Sequence, residues 1–227
     1  MNLELKKQIE RIKKQPNAFI ILNALQNLYE EEQKERMYFY ETVSENDKAE
    51  FINGKIIIHS PVMYRHSNVV SNLSFFINTF IVSRNLQAIV AVEKLMIRLT
   101  RNDYEPDICF FGKEKAKDFK ADQLLFPAPD FVVEVLSKST EKTDRTIKFN
   151  DYQSHGVKEY WIVDPENEFV EQYVLENEMY ELKEKTSSGQ INSFVISGFE
   201  IPVKAFFDKQ LNNETMRHFY LLLEKLL

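Results

Sequence analysis

One glutamate stands in the middle of a strongly apolar run of the sequence. The run is FVVEVL at residues 131–136, and the acid is Glu134. Its composition is typical of a short strand that is buried on both faces. A buried carboxylate without a partner costs several kcal/mol. The pattern therefore predicts that a cation, either a basic side chain or a metal ion, compensates the charge of Glu134.

A second acid, Asp107, lies at the start of another predicted strand, in the sequence EPDICFFG. Because successive side chains of a strand point to opposite faces, Asp107 shares its face with Cys109 and Phe111. If this strand is the neighbour of the one that carries Glu134, the two acids can converge near the sheet surface. Paired carboxylates are hard oxygen ligands that suit Mg²⁺. The alternative, in which Asp107 ends a turn and Glu134 pairs with a core cation, is equally open.

The segment after the Glu134 strand predicts a helix that could supply a cation. Asp144, Lys148 and Tyr152 are spaced i, i+4 and i+8, so they form one stripe of that helix. Lys148 can then reach back toward the strand, although an ordinary Asp144–Lys148 surface pair is the alternative. A locally basic edge of this kind suits a polyanionic substrate. Its residues are Lys138, Lys142, Arg145 and Lys148.

The bulk composition favours a single soluble domain with extensions. The chain has 227 residues and a net charge of −6, so it lacks the overall basic footprint of many nucleic-acid binders. That charge weakens a nucleic-acid function without excluding it, because an enzyme needs only a local basic patch. The single cysteine, Cys109, and the absence of a signal peptide or a membrane-spanning run predict a cytoplasmic protein without a membrane partner.

The remaining patterns predict a mixed sheet with helices beside it. Residues 1–36 are predicted to be helical, with a break at Pro16, and to pack on the domain or on a partner. Asn53-Gly54 between two apolar runs predicts a two-residue hairpin, and the apolar spacing after His66 predicts an amphipathic helix. Further strands are predicted in AIVAVEKLMIRL, VKEYWIVD, EFVEQYVLE and EMYELKEK, before a C-terminal helix.

These motifs together resemble a known family. The Pro-Asp at 106–107, the stretch PDFVVEVLSKST and the stretch DRTIKFNDYQSHGVKEYWIVDP are similar to the Uma-type "putative restriction endonuclease" family of the PD-(D/E)XK nuclease superfamily. The resemblance implies an α/β fold with a restriction-endonuclease-like mixed β-sheet core flanked by helices. The nuclease-like domain would span residues 37–208. Helical extensions would occupy residues 1–36 and 209–227.

The resemblance also implies roles for individual residues. Asp107 would be the acid of the Pro-Asp motif, Glu134 the second acid, and Lys148 the catalytic lysine. The superfamily places that lysine two residues after the second acid, where this chain has Leu136, so Lys148 on the next helix would replace it. Supporting groups would be Glu50, His66, Ser137 and Tyr152.

The implied activity is metal-dependent cleavage of DNA. Asp107 and Glu134 would hold Mg²⁺, or Mn²⁺, together with the backbone carbonyl of Val135, and Lys148 would orient a water or stabilise the transition state. A homodimer would let two sites cut two strands. Two alternatives remain. The net charge and Leu136 favour a non-catalytic binding or assembly module, and the same metal chemistry could hydrolyse another phosphate-containing substrate.

Overall fold

The computed structural model describes residues 3–44 and 46–224 as a mixed α/β fold. The helices are α1 (Leu3–Lys13), α2 (Ala18–Thr42), α3 (Tyr64–Ser83), α4 (Lys113–Ala116), α5 (Glu141–Thr143), α6 (Phe149–Ser154) and α7 (Lys209–Glu224). A π-helical turn, Asp144–Lys148, joins α5 to α6, and a 3₁₀ turn, Val203–Phe206, precedes α7. Among the described helices none is long and apolar enough to cross a membrane.

The strands form two main sheets and one small one. They are β1 (Ala49–Ile52), β2 (Lys55–Ile58), β3 (Ile89–Val92), β4 (Met96–Arg98), β5 (Asp103–Tyr104), β6 (Ile108–Phe111), β7 (Leu125–Phe126), β8 (Phe131–Val135), β9 (Glu159–Asp164), β10 (Phe169–Glu176), β11 (Met179–Thr186), β12 (Gln190–Asn192) and β13 (Glu200–Pro202). The orders are β11-β10-β9-β8-β6-β3, β2-β1-β5-β4-β7 and β12-β13.

The six-stranded sheet is mixed, as the sequence predicts. Its central strands β8 and β9 run parallel, and each other neighbouring pair in this sheet is antiparallel. Every residue of β8 and β9 is buried, which explains their near-continuous apolar sequences. One apolar cluster, which includes Ile77 of α3 and Val133, covers one face, and a second cluster, which includes Val132 and Tyr160, covers the other.

The segment AIVAVEKLMIRL forms two strands and not the one that the sequence predicts. The structure divides it into β3 and β4, which belong to different sheets. Glu93 and Lys94 lie between them with φ of 45° and 54°, the left-handed conformation that interrupts an extended chain. By contrast, the hairpin predicted at Asn53-Gly54 is present, with φ of 50° and 76° and with β1 paired to β2.

Helix α2 continues past residue 36 and is tied to the second sheet by a buried ion pair. The Arg36 guanidinium donates two hydrogen bonds of 2.6 Å to the two carboxylate oxygens of Asp103 in β5. Both side chains are almost fully buried, at 3% and 0% exposure. The boundary that the sequence predicts at residue 36 therefore falls inside a helix, and the division into extension and domain stays a prediction.

We expect Arg36→Met to lower the free energy of unfolding by about 3–5 kcal/mol, because it leaves the buried Asp103 carboxylate without its partner. Urea denaturation would measure this loss. Arg101→Met is the matched control, because its ion pair with Glu32 is half exposed on the arginine side. That control should cost less than about 1 kcal/mol. Equal losses in the two variants would contradict the assignment.

Candidate active site

Asp107 and Glu134 belong to neighbouring parts of the six-stranded sheet, since Asp107 lies immediately before β6 and Glu134 lies in β8. Strands β6 and β8 pair antiparallel, with Ile108 opposite Val133, so the next position in the same register sets Asp107 opposite Glu134. Directly opposite residues project from the same face of a sheet. The backbone N–H of Val135 donates a 2.8 Å hydrogen bond to Asp107 Oδ2, which fixes this carboxylate against the second strand.

The Glu134 carboxyl is buried and held by two donors from the following helix. Lys148 Nζ and the Tyr152 hydroxyl each donate to Glu134 Oε1 at 3.0 Å. Burial raises the pKa of Glu134 well above its usual value, and together with the charges of Asp144 and Asp107 it outweighs the lowering effect of the Lys148 ammonium. Glu134 is therefore the group of this site that most favours its neutral form without an additional cation.

Lys148 is shared by three buried carboxylates. Its ammonium lies 2.9 Å from Glu50 Oε1, 3.0 Å from Glu134 Oε1 and 3.4 Å from Asp144 Oδ1. Burial alone would lower the pKa of Lys148, but the three acids raise it well above its usual value, so the side chain stays charged. The alternative of a surface Asp144–Lys148 pair is wrong, because the two side chains are 1% and 3% exposed. Lys148 also adds nothing to an exposed basic edge.

The π-helical turn carries both charged residues of that pair. Asp144 and Lys148 are its first and last residues, in a segment that the sequence predicts as an ordinary helix. Such turns widen a helix by one residue and are frequent at functional sites. Asp144 Oδ1 has no hydrogen-bond partner although it is buried, and burial raises the pKa of this carboxyl.

Glu50 contacts the Lys148 ammonium from β1, the first strand of the Asn53-Gly54 hairpin. His59 Nε2 lies 3.0 Å from Glu50 Oε2, and the backbone N–H of Glu105 donates to Glu50 Oε1 at 3.0 Å. Burial would raise the pKa of Glu50, but the Lys148 ammonium and the His59 hydrogen bond outweigh burial and lower it. Glu50 is therefore the acid that forms the charged pair with Lys148.

Asp107 has a different set of partners. Lys48 Nζ lies 2.8 Å from Asp107 Oδ1, and His66 Nε2 lies 3.1 Å from Asp107 Oδ2. Burial raises the pKa of Asp107, but the hydrogen bond from His66 and the charge of Lys48 outweigh it and lower that pKa. Lys48 also approaches Glu93 Oε1 at 3.7 Å. The Asp107 carboxylate thus favours its ionised form, and both of its oxygens accept protein donors.

One group of ligand atoms could hold a metal ion. His66, Glu93 and Asp107 each offer one such atom, and these atoms lie within 4.8 Å of one another. His66 Nδ1 is buried and has no hydrogen-bond partner. An ammonium, that of Lys48, already lies against two of these residues, so this part of the site attracts a cation. Carboxylate and imidazole ligands of this kind fit a divalent ion.

The structure brings most of the sequence-predicted site residues together, with one exception. His66 contacts Asp107, while Tyr152 contacts Glu134. The Ser137 hydroxyl instead bonds to the hydroxyls of Ser139 and Thr140, just before α5, so its contacts stabilise the local turn. Residues that the sequence analysis did not place in the site are Lys48, Glu93, His59 and Glu105.

The sequence could have placed Lys48 beside Glu50, although not beside Asp107, and it gives no sign of Glu93. Lys48 lies two residues before Glu50 in an extended segment, so the two side chains share a face. Glu93 reaches the site because the chain turns sharply between β3 and β4. Two cavities open near the site, and neither is lined by Asp107 or Glu134. One of about 570 Å³ is lined by Lys148 among others, and one of about 280 Å³ is lined by His66 among others.

Comparisons with known proteins agree with this architecture. Residues 31–204 match the family model described as "Uma2: Putative restriction endonuclease". The uncharacterized protein sll1609 of Synechocystis sp. is 29% identical over 145 residues, which is 63% of this chain and 75% of that protein. A crystal structure from Anabaena variabilis, described as a "putative nuclease belonging to DUF820", superposes with a TM-score of 0.64 at 22% identity. It covers 74% of this chain and 94% of that one.

Proposed function

The chain belongs to the Uma2 family of "putative restriction endonucleases", and from this premise we propose that it is a metal-dependent endonuclease that hydrolyses phosphodiester bonds in DNA. One observation supports the proposal above others. Two carboxylates, Asp107 immediately before β6 and Glu134 in β8, project from the same face of the sheet. A buried lysine, Lys148, donates a hydrogen bond to Glu134. Strongly perturbed pKa values of this kind are typical of functional sites.

The residues that would hold the ion are Asp107 and Glu134, together with the backbone carbonyl of Val135. A bound Mg²⁺ or Mn²⁺ would lower the pKa of a coordinated water and offset charge that develops on the phosphate. The chain's own contacts prepare these ligands. The backbone N–H of Val135 and the His66 ring orient Asp107, while Lys148 orients Glu134.

Hydrolysis then forms one bond from the water oxygen to phosphorus and breaks one phosphorus–oxygen ester bond. The water loses a proton, and the leaving oxygen gains one. In this proposal Lys148 orients the attacking water or stabilises the pentacovalent transition state. The ammonium's three carboxylate partners and its burial fix its position before substrate arrives, so little reorganisation is needed. Tyr152 supports this geometry through its bond to Glu134.

Metal removal is the direct test of the proposed activity. Supercoiled plasmid should be nicked in the presence of Mg²⁺ or Mn²⁺, and excess EDTA should abolish nicking because the two acids then have no ion to bind. Titration calorimetry should detect Mn²⁺ binding to the wild-type chain and none to Asp107→Ala. Circular dichroism would establish that the variant is folded. Nicking that persists in EDTA would contradict a metal-dependent mechanism.

A second candidate is a non-catalytic binding or assembly module that keeps the nuclease fold. The protein's own contacts support it, because both Asp107 oxygens accept protein donors and burial raises the pKa of Glu134. Leu136 at the usual lysine position also favours it. The same calorimetry separates the candidates, since such a module binds neither Mg²⁺ nor Mn²⁺.

The nuclease proposal also includes a homodimer, which would present two sites to two DNA strands, and it places the protein in the cytoplasm.

A further inference from the structure

We propose that Lys48 is the resident cation of this site and that a divalent ion binds by displacing its ammonium from Asp107, with Glu93 and His66 then adding to the ligands that Asp107 and Glu134 supply. The inference rests on the proposed function, because it concerns the regulation of the same metal site. It assigns roles to Lys48 and Glu93, which lie outside the motifs of the sequence.

The Lys48 ammonium lies against the carboxylates of Asp107 and Glu93. Nζ lies 2.8 Å from Asp107 Oδ1 and 3.7 Å from Glu93 Oε1, so it lies against two of the three residues that present ligand atoms. Burial lowers the pKa of Lys48, but the charges of Asp107, Glu93 and, to a smaller extent, Glu134 together raise it above its usual value. An ammonium and a divalent ion on the same carboxylate oxygens repel each other strongly.

Lys48 can move out of the site, whereas Lys148 is enclosed. The Lys48 side chain is 19% exposed, and that of Lys148 is 3% exposed. A lysine carries its charge on a flexible four-carbon stem, so Lys48 can move its ammonium toward solvent while its backbone stays in place. Lys148 has three carboxylate partners that prevent a similar movement.

Once Lys48 has moved, the ligand atoms of Glu93, Asp107 and His66 are available to an ion. Glu93 is 36% exposed on its side chain and adjoins the left-handed turn between β3 and β4, while Asp107 and His66 are buried. His66 faces Asp107 through Nε2, which lies 3.1 Å from Oδ2, while its Nδ1 has no hydrogen-bond partner and can carry the ring proton when Nε2 binds an ion. Glu93 and His66 therefore add one carboxylate and one imidazole to Asp107 and Glu134, a set that suits Mn²⁺ better than a monovalent ion. Competition with the ammonium therefore sets the ion concentration at which the site fills.

The test is the Mn²⁺ affinity of Lys48→Met, measured by titration calorimetry on the full chain. Removing the competing ammonium should lower the dissociation constant at least about tenfold. The metal-free variant should also melt at a lower temperature than the wild type, and Mn²⁺ should raise its melting temperature by a larger amount, because tighter binding stabilises more. Lys55→Met is the matched control, since it removes one charge from an exposed lysine of the same hairpin.

The outcomes separate this inference from the proposed function. If the wild type and Lys48→Met bind Mn²⁺ equally, Lys48 does not compete and the inference is wrong, while the metal-dependent nuclease stands. If neither chain binds Mn²⁺, the proposed function fails as well. Should Lys48→Met not fold, Lys48→Gln and Lys48→Arg serve instead. Glutamine should tighten Mn²⁺ binding, whereas arginine keeps the charge and should not, and tightening by both would overturn the inference.

Discussion

Glu134→Gln should reduce plasmid cleavage about a thousandfold and leave the metal-free protein at least as stable as the wild type at pH 7. The loss of activity follows because an amide is a poor metal ligand compared with a carboxylate. The stability follows because burial already favours the neutral form of this carboxyl. The amide oxygen of the variant can accept the hydrogen bonds that Lys148 and Tyr152 donate to Glu134.

The same substitution should change how stability depends on pH. Because the pKa of Glu134 is raised on folding, its contribution is fully present below the usual value of 4.5 and is lost as pH rises through the folded value. Within that window each pH unit costs the wild type about 1.4 kcal/mol that the glutamine variant does not lose. The stability difference between the two should therefore grow in favour of Glu134→Gln as pH rises above 5 toward the folded pKa.

Urea denaturation in EDTA at pH 5, 6 and 7 would measure this growth. Glu200→Gln is a suitable control, since Glu200 is an exposed residue of the small β12–β13 sheet and is expected to follow the wild-type slope. Parallel pH profiles for the wild type and Glu134→Gln would show that the buried carboxyl is ionised in the folded protein. Full cleavage by Glu134→Gln would remove it from the metal site.

The parts of this fold that the sequence predicts well are set by local patterns. The Asn53-Gly54 hairpin needs two positive φ angles, which these two residue types readily adopt. The shared face of Asp107 and Glu134 follows from the alternation of side chains once their strands are neighbours. The apolar residues of β8 and β9 similarly predict their burial at the centre of a sheet.

The parts that the sequence does not predict depend on long-range contacts. Lys48 and Asp107 are 59 residues apart, and their pairing requires the second sheet to pack against the edge of the first. The break at Glu93-Lys94 has no glycine or proline to mark it, and the β4–β7 pair is two residues long in β7. Such contacts depend on tertiary packing, which overrides local preference.

The sharing of one ammonium by three acids shifts the pKa values of Glu50 and Glu134 in opposite directions. Glu50 has a lowered pKa, whereas that of Glu134 is raised, although both oxygens lie about equally close to Lys148. His59 adds a second favourable contact to Glu50, while Asp107 and Asp144 repel a charge on Glu134. A divalent ion would reverse the balance on Glu134, because it supplies the missing positive charge.

Lys148→Met should lower the free energy of unfolding by about 3–5 kcal/mol, because it leaves the ionised Glu50 carboxylate buried without its cation. Cleavage should fall about a thousandfold as Glu134 loses its orienting partner. Lys142→Met, which changes an exposed lysine of the same helical segment, should change the free energy of unfolding little. Urea denaturation and plasmid nicking would measure the two effects.

A double-mutant cycle with Glu50→Gln separates charge from packing. If Glu50 is the charged partner, adding Glu50→Gln to Lys148→Met should restore at least about 1 kcal/mol of stability, since no ionised Glu50 is then left buried. Cleavage should stay low, because Glu134 still lacks its lysine. Purely additive stability losses would mean that Lys148 does not neutralise Glu50. Restored cleavage in the double variant would mean that Lys148 acts in this site through the charge balance alone.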